Sequence, residues 1–548
     1  MKTIKREPTA LYITLYVLVF FTMIVQGGYF TTSLLIVTIG LLAILAWRKG
    51  TWQPDMNGIL LLLLFGVMAA SALFGALDAQ VAITELLKYA LFPLSYIVFA
   101  GVKDKVRLRT IFHRSFMLLA VFGLLAVVGL SVMSGMVTVN GNRLQSFLQY
   151  ANTTALFMGI GALFSLDRYR TSKKITDLVF SVLFVVALLL TESRTTFVLF
   201  GVILTVYVFT FLGRKAKLIF AGGAVAVLVL LVAVGGRIIR LSLFEPTLIE
   251  RVITFQDALR IVFMKTFGLG LGVGDWQFMQ FIYQSAPYQV RYVHNFFLQV
   301  ALDGGLLALL LVIVLMVFNL KRAMKTGSVY LYVFLFLLLH SLFEVDFSFG
   351  IVILFFAFLL TCLGEPSAVQ LPRWVKLPRV TLVIPIIALG VMLVSQLVMS
   401  SGDRLLRVQP EEALQRYQMA HVINPLNREL LFKQAKAERN IGNALAMLER
   451  SYEQNRHDTQ VLAALTEGWL YANNMEKAQL YANELFTTFP YSRKSQESVR
   501  NVLEASRQSG VLGEDEYEKG IARLQERIDA RNDQINPLYR YIRADMTY

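Results

Sequence analysis

Cysteine is all but missing from this 548-residue chain, which carries Cys362 alone. An internal disulfide and a cysteine-ligated metal site are therefore excluded. Histidine is nearly as scarce, at five residues. The phosphate-cradling run G-x-x-x-x-G-K-[ST] does not occur, and no paired-carboxylate motif accompanies a nucleotide fold, so a nucleotide-activated sugar finds no soluble binding domain here. No small-x-small cleavage site follows the N-terminal apolar run Leu11 to Val25. That run is expected to be an uncleaved first span and not a signal peptide. Above all, the first 400 residues lack charge over long stretches, in blocks of 16 to 25 residues.

What is present is apolar. The chain is 56% hydrophobic with a mean hydropathy of +0.58, against about 45–50% apolar for an ordinary soluble chain. The blocks have the length that a bilayer core demands. They predict an all-α, polytopic membrane protein with about thirteen spans, at 10–26, 31–47, 59–76, 86–101, 111–133, 151–166, 175–191, 195–213, 218–235, 295–319, 328–343, 348–363 and 380–399. The span 86–101 has the weakest pattern, because Pro93 interrupts it and Glu85 and Lys88 flank or enter it.

The net charge of +15 could suggest nucleic acid, but its distribution argues otherwise. Residues 401–548 hold 20 Lys+Arg against 21 Asp+Glu, and residues 1–400 hold the other 32 against 16. The excess sits in short loops between apolar blocks: 48–58, 103–109, 167–174, 213–217, 321–325 and 371–379. With Lys2, Lys5 and Arg6 these define a cytoplasmic side. The segments 27–30, 77–85, 134–150, 192–194, 236–294 and 344–347 then face outward, and an odd number of spans sends everything after 400 out of the cytoplasm. The expected organisation is a transmembrane domain over 1–400 and an extracytoplasmic helical domain over 401–548.

The tail reads as helices with a repeat. Asn424-Pro425 and Phe489-Pro490 end helix pairs 65 residues apart, close to two periods of 33, and Ala444 and Ala478 are 34 apart. This resembles tetratricopeptide repeats, in which small residues let paired helices pack closely. The alternative is a plain helical bundle. The charged stretch 514–548 would cap the array.

Chemistry is expected on the outer face. Arg194 lies in a tight polar turn between two spans, where arginine is disfavoured unless it has a task; the plain alternative is a snorkelling side chain. His294 and His340 are the two histidines near that face, and a neutral imidazole there can act as a general base. The 236–294 loop is far longer than its neighbours, which is usual for functional loops. It carries Arg251 and Arg260, then GLGLGVGDW (268–276), whose Gly270, Gly272 and Gly274 could bring backbone amides to a phosphate or could simply mark a turn. His340, Glu344 and Asp346 in HSLFEVDFSFG would orient the arginines, or line a hydrated loop.

In this order these motifs resemble the O-antigen ligase and polymerase family. Arg194 in T-E-S-R, Arg251 with Phe255 and Ala258, the alternating glycines with an aromatic at 276, and H-N-x-x-L-x-x-x-x-D-x-G at 294–305 carry the likeness. N-R-L-Q-S-F-L-Q-Y-A-N (142–152) is similar to the segment preceding the family's core, and the whole covers about 140–365. The resemblance implies a membrane-embedded glycosyltransferase opening outward in the bacterial cytoplasmic membrane. Its donor would be a glycan on undecaprenyl diphosphate, and its acceptor a hydroxyl of a glycan, lipid or protein. Arg194 and Arg251 match the diphosphate-binding arginines and His294 the catalytic residue. Arg143, Asn152, Arg260, Arg291 and Asn295, with the glycines, stand as candidate substrate contacts. Asp303, His340, Glu344 and Asp346 stand behind them. No metal and no cofactor is expected, and the transfer would invert the anomeric centre. The chain departs from the family in Asp303 for glutamate, Phe255 for tryptophan, and Thr266-Phe267 where proline is common. Two other readings compete: a transporter or flippase of polar or lipid-linked sugars, and a scaffold whose exported repeats recruit a polysaccharide-assembly partner.

Overall fold

The computed structural model describes residues 8–47, 55–138, 143–213, 246–265, 268–364 and 379–541. Among them the chain is helical, with 21 α-helices and no β-strand. The first eight are α1 (Thr9–Ile24), α2 (Thr31–Trp47), α3 (Met56–Gly75), α4 (Ala79–Ala100), α5 (Lys105–Val127), α6 (Ala151–Ser172), α7 (Ile175–Leu190) and α8 (Arg194–Phe209). The long loop contains α9 (Pro246–Lys265) and α10 (Trp276–Tyr283). Then come α11 (Phe296–Thr326), α12 (Val329–His340), α13 (Gly350–Leu360) and α14 (Val383–Leu405). The tail holds α15 (Pro410–Ile423), α16 (Glu429–Ala437), α17 (Ile441–Gln454), α18 (Thr459–Tyr471), α19 (Met475–Thr488), α20 (Arg493–Gln508) and α21 (Glu514–Asn532).

Every apolar block that falls on described residues is a helix, and the block at 218–235 lies outside them, as do most of the basic loops 48–58, 213–217 and 371–379. Five helices, α3, α4, α5, α11 and α14, are long and apolar enough to cross a membrane; six shorter ones are also apolar. Their outward faces carry large exposed side chains such as Leu73, Phe74 and Ile384, each above 70% exposed. A contiguous apolar exterior of this kind is stable in lipid and not in water. The chain is a multi-pass membrane protein.

Short polar side chains start the helices. Asp55, Asp78 and Asp104 accept from backbone amides at the entries to α3, α4 and α5, each satisfying a donor that has no partner within the helix. Helix α4 begins seven residues before the block read from sequence and runs through Pro93, so Glu85 and Lys88 lie within it. Near its start α11 bends at Gly305, where φ is +75° and an added Cβ would strike the Gly268 carbonyl. Only glycine fits that crossing.

Two apolar cores matter for the site. One fills the transmembrane bundle. The other, built from Ile249, Ile253, Trp276, Tyr288, Val293 and Leu302, joins the long loop to the top of α11. In the tail each helix packs on the next, Ala444 and Ala478 are both buried, and helices α15 and α19 end just before the two Pro-containing turns. After α21 the chain returns to the loop, where Leu538 and Tyr539 pack against the second core.

Candidate active site

One short segment, 340–346, gathers the sequence-predicted residues. Arg251, on α9, places Nη1 2.8 Å from Glu344 Oε1 and donates to the Phe343 carbonyl at 2.9 Å. Glu344 also accepts from Tyr150 Oη at 2.7 Å and Asn152 Nδ2 at 2.8 Å. Asn152 in turn accepts from Arg143 Nη2 at 3.4 Å, while Arg143 Nε donates to the Thr191 carbonyl at 3.0 Å. Burial alone would raise the Glu344 carboxyl, but Arg251 and His340 hold it below its ordinary value. The carboxylate is ionised and nearly fully enclosed, and the Arg251 side chain keeps 19% of its surface open.

His294 stands beside this pair. Its neighbour Asn295 caps α11 through Leu298 N at 3.0 Å and donates Nδ2 to the Leu342 carbonyl at 3.0 Å, while Phe296 N binds the Ser341 carbonyl at 2.9 Å. These bonds press the His294 backbone against the 340–346 segment. Burial first, and Arg251 second, lower the imidazole to about 4, with Glu344 opposing. At neutral pH the ring is uncharged with a lone pair available, the form a general base requires.

Arg194 opens α8 and is exposed. Two residues on, Thr196 Oγ1 lies 2.7 Å from His340 Nε2 and 2.7 Å from Ser193 Oγ. His340 Nδ1 lies 2.6 Å from Asp346 Oδ2, and Asp346 Oδ1 accepts from Thr153 at 2.9 Å. The His340–Asp346 pair is fully buried. It fixes the turn that presents Arg194, so both arginines and His294 are referenced to one segment.

A second polar cluster joins the expected Arg291 and Asp303 to Glu85 and Lys88, which were not read as site residues from the sequence. Lys88 Nζ lies 2.9 Å from Glu85 Oε1, contacts Tyr292 Oη, and sits 4.6 Å above the Tyr292 ring. Arg291 approaches Glu85 at 3.6 Å. Asp303 accepts from Tyr89 Oη at 2.7 Å, Gln299 Nε2 at 3.0 Å and Gly274 N at 3.2 Å. One cavity is lined by Glu85, Lys88, Tyr89, Tyr292, Asp303 and also Glu344, so the two clusters share a space. The available signal was two charges in an apolar span, which are costly and usually functional; they read as weakening the span.

Several placements differ from expectation. Asp303 orients the glycine run, with the Gly274 amide directed at its carboxylate. The glycines serve close packing: a Cβ at Gly270 would meet the Leu302 carbonyl, and one at Gly272 the Gly75 carbonyl. Arg260 pairs with Asp257 at 3.6 Å. It lies nine positions from Arg251, which is about two and a half turns and puts it on the opposite face of α9. Asn295 is a helix cap. The positions Thr266 and Phe267 lie outside the described residues.

The family model described as O-antigen ligase matches residues 179–313. The match spans Arg194, Arg251, the glycine run, Arg291, His294 and Asp303, and it supports the O-antigen ligase family for this chain. No curated protein matches it. Fold and match together describe a multi-pass membrane protein with a segment, 179–313, that is similar to the O-antigen ligase family.

Proposed function

We propose that the protein transfers a glycan from undecaprenyl diphosphate to an acceptor hydroxyl at the outer face of the bacterial cytoplasmic membrane, as a ligase or polymerase of surface polysaccharide. In this reading the chain crosses thirteen times, with the N-terminus in the cytoplasm and a tetratricopeptide-like tail outside. The observation that carries it is the convergence on residues 340–346 of Arg251, the Arg194 turn and His294.

The acceptor oxygen attacks the anomeric carbon from the face opposite the diphosphate. The new C–O bond forms as the bond to the phosphate oxygen breaks, which inverts the centre. The acceptor proton passes to His294, and undecaprenyl diphosphate departs with the bonding pair. Two guanidiniums match the geometry of phosphate oxygens and neutralise the charge that grows on the leaving group. Donor binding also tunes the base: the incoming diphosphate offsets the Arg251 charge that depresses His294, so basicity rises when substrate is in place.

The test uses the purified protein in detergent with a synthetic undecaprenyl-diphosphate oligosaccharide and compares wild type with His294→Ala. Release of undecaprenyl diphosphate with a longer lipid-linked glycan, lost in the variant, identifies a polymerase. Consumption of donor only after a different acceptor is added identifies a ligase. Failure with every acceptor class overturns the reading in favour of transport.

A further inference from the structure

We infer that the cleft between the tail and the long outer loop is a binding groove for an extended, largely uncharged polysaccharide strand, continuous with the transfer site. The inference rests on the glycan-transfer reading above and adds where the polymer lies. Two adjoining cavities, of about 640 and 520 Å³, share the lining residues Gln289, Phe432, Lys436, Thr459 and Gln460. Each lies within the usual range for small-molecule sites, about 300–1,000 Å³, and together they form an elongated channel. On the tail side the wall comes mainly from α16, α18 and α20, every second helix of the array, with Ser451 of α17 and Leu485 of α19 between them. Stacked helix pairs generate a concave face in this way. On the loop side it comes from α10 and residues 289–291.

The lining chemistry selects the occupant. Amide side chains (Gln277, Gln289, Gln460) lie among the apolar faces of Phe278 and Phe432. Such a surface offers donors and acceptors to hydroxyls and flat apolar patches to sugar C–H faces. Its charges are largely engaged: Lys433 pairs with Asp403 at 2.7 Å, Lys494 with Glu467 at 3.3 Å, and Arg428 donates to the Leu77 and Gln454 carbonyls. A strongly anionic or cationic partner therefore gains little. A second observation points to a ligand. Asn455 lines the groove, is 6% exposed, and its Nδ2 has no hydrogen-bond partner. Buried amide donors are normally satisfied; Nδ2 is covered here, and a turn of the amide into the cleft would bring it to a sugar hydroxyl. The route inward is short, because Arg291 lines the groove and approaches Glu85, which lines the cavity that also contains Glu344.

The experiment measures binding apart from transfer. Polysaccharide released by mild acid from the producing cells is size-fractionated, labelled at its reducing end, and titrated by fluorescence anisotropy against the full chain in detergent. Affinity should rise with fragment length and then level off as the groove fills. Gln460→Trp, which fills the cleft, and Asn455→Asp, which keeps the Oδ1 acceptor but removes the donor, should each weaken binding at least tenfold. Tyr471→Trp, at an exposed position outside the groove, should bind as wild type does. No binding by wild type, or equal binding by both groove variants, overturns the inference. Binding without transfer would instead sink the enzymatic reading and leave the groove standing, and transfer without binding would do the reverse.

Discussion

Arg251 and Glu344 form a 2.8 Å ion pair in which the carboxylate is almost fully enclosed and the guanidinium is partly open. The pair is asymmetric by design of its surroundings: Tyr150 and Asn152 hold Glu344 from behind, so the arginine alone has a face to offer a ligand. A guanidinium positioned in this way binds two phosphate oxygens at once, which an ammonium cannot do. Arg251→Lys and Arg194→Lys should each lower transfer about 100-fold, close to 2.7 kcal/mol of transition-state stabilisation. Donor turnover by the purified variants checks this, and full activity in either would remove its diphosphate role. With guanidiniums neutralising the leaving group, EDTA should leave the wild-type rate unchanged; a complete loss restored by Mg²⁺ would count against the arginines.

His294 gives a pH signature. Its folded value of about 4 lies below the ordinary 6.5, so between these values the unfolded chain binds a proton that the folded chain does not. Stability therefore rises with pH through that window and is lost as pH falls from about 6.5 towards 4. At pH 5 the loss should be about 2 kcal/mol. Thermal unfolding in detergent at pH 7 and pH 5 should show this drop in wild type and a smaller one in His294→Gln. Equal pH sensitivity in the two proteins would mean that His294 titrates normally.

Thr196 tests the link from the buried pair to Arg194. Thr196→Val keeps the shape but leaves His340 Nε2 without its 2.7 Å partner. An unpaired buried polar atom costs about 1–3 kcal/mol. The expected outcome is a lower melting temperature together with a raised KM for the lipid-linked donor, since the turn carrying Arg194 loses its anchor. A change in melting temperature with donor KM and turnover untouched would confine the bond to a structural role.

The sequence showed the helices more clearly than the site, for a physical reason. Apolar blocks of bilayer length announce themselves one residue at a time, and the tail pairs are punctuated by Asn-Pro and Phe-Pro. The candidate site residues near 194, 251, 294 and 340–346 stand out in the sequence because each is polar where its neighbours are not. Their partners were less so. Tyr150, Thr153 and Thr196 are ordinary in an alternating sequence and gain meaning only when α6, α8 and the 340–346 segment meet. Glu85 and Lys88 compensate one another three residues apart on one helix turn, so they read as a damaged span until the fold brought Tyr292 and Asp303 against them. The glycines are ambiguous in the opposite sense: positive φ at 270, 272 and 274 serves backbone packing as readily as phosphate binding.

Topology can be tested at the C-terminus. The proposed thirteen crossings from a cytoplasmic N-terminus would place Tyr548 outside. A phosphatase reporter fused after Tyr548 should be active, and one fused within 167–174 should not. Activity in the reverse pattern would show one crossing miscounted, and the Pro93 helix is the first to re-examine.

The last described turn of the chain holds the helix that carries Arg251 by hydrogen bonds and packing together. Asn536 donates Nδ2 to Gln256 at 2.8 Å, and its N–H binds the Ser285 carbonyl at 2.8 Å. Leu538 and Tyr539 then close the core formed by Ile249, Ile253 and their neighbours, on the helix that carries Arg251. Ending the chain after Asn532 would expose that core and loosen α9 while leaving every site residue in place. Removing two partly buried large side chains forfeits part of the about 1.5–3 kcal/mol that full burial of each would contribute. The truncated protein should melt lower and transfer at least tenfold more slowly, and the double substitution Leu538→Ala, Tyr539→Ala should reproduce most of the effect. A truncated protein that is as active and as stable as wild type would show that α9 is held by α11 alone, and that the tail and the site are mechanically independent.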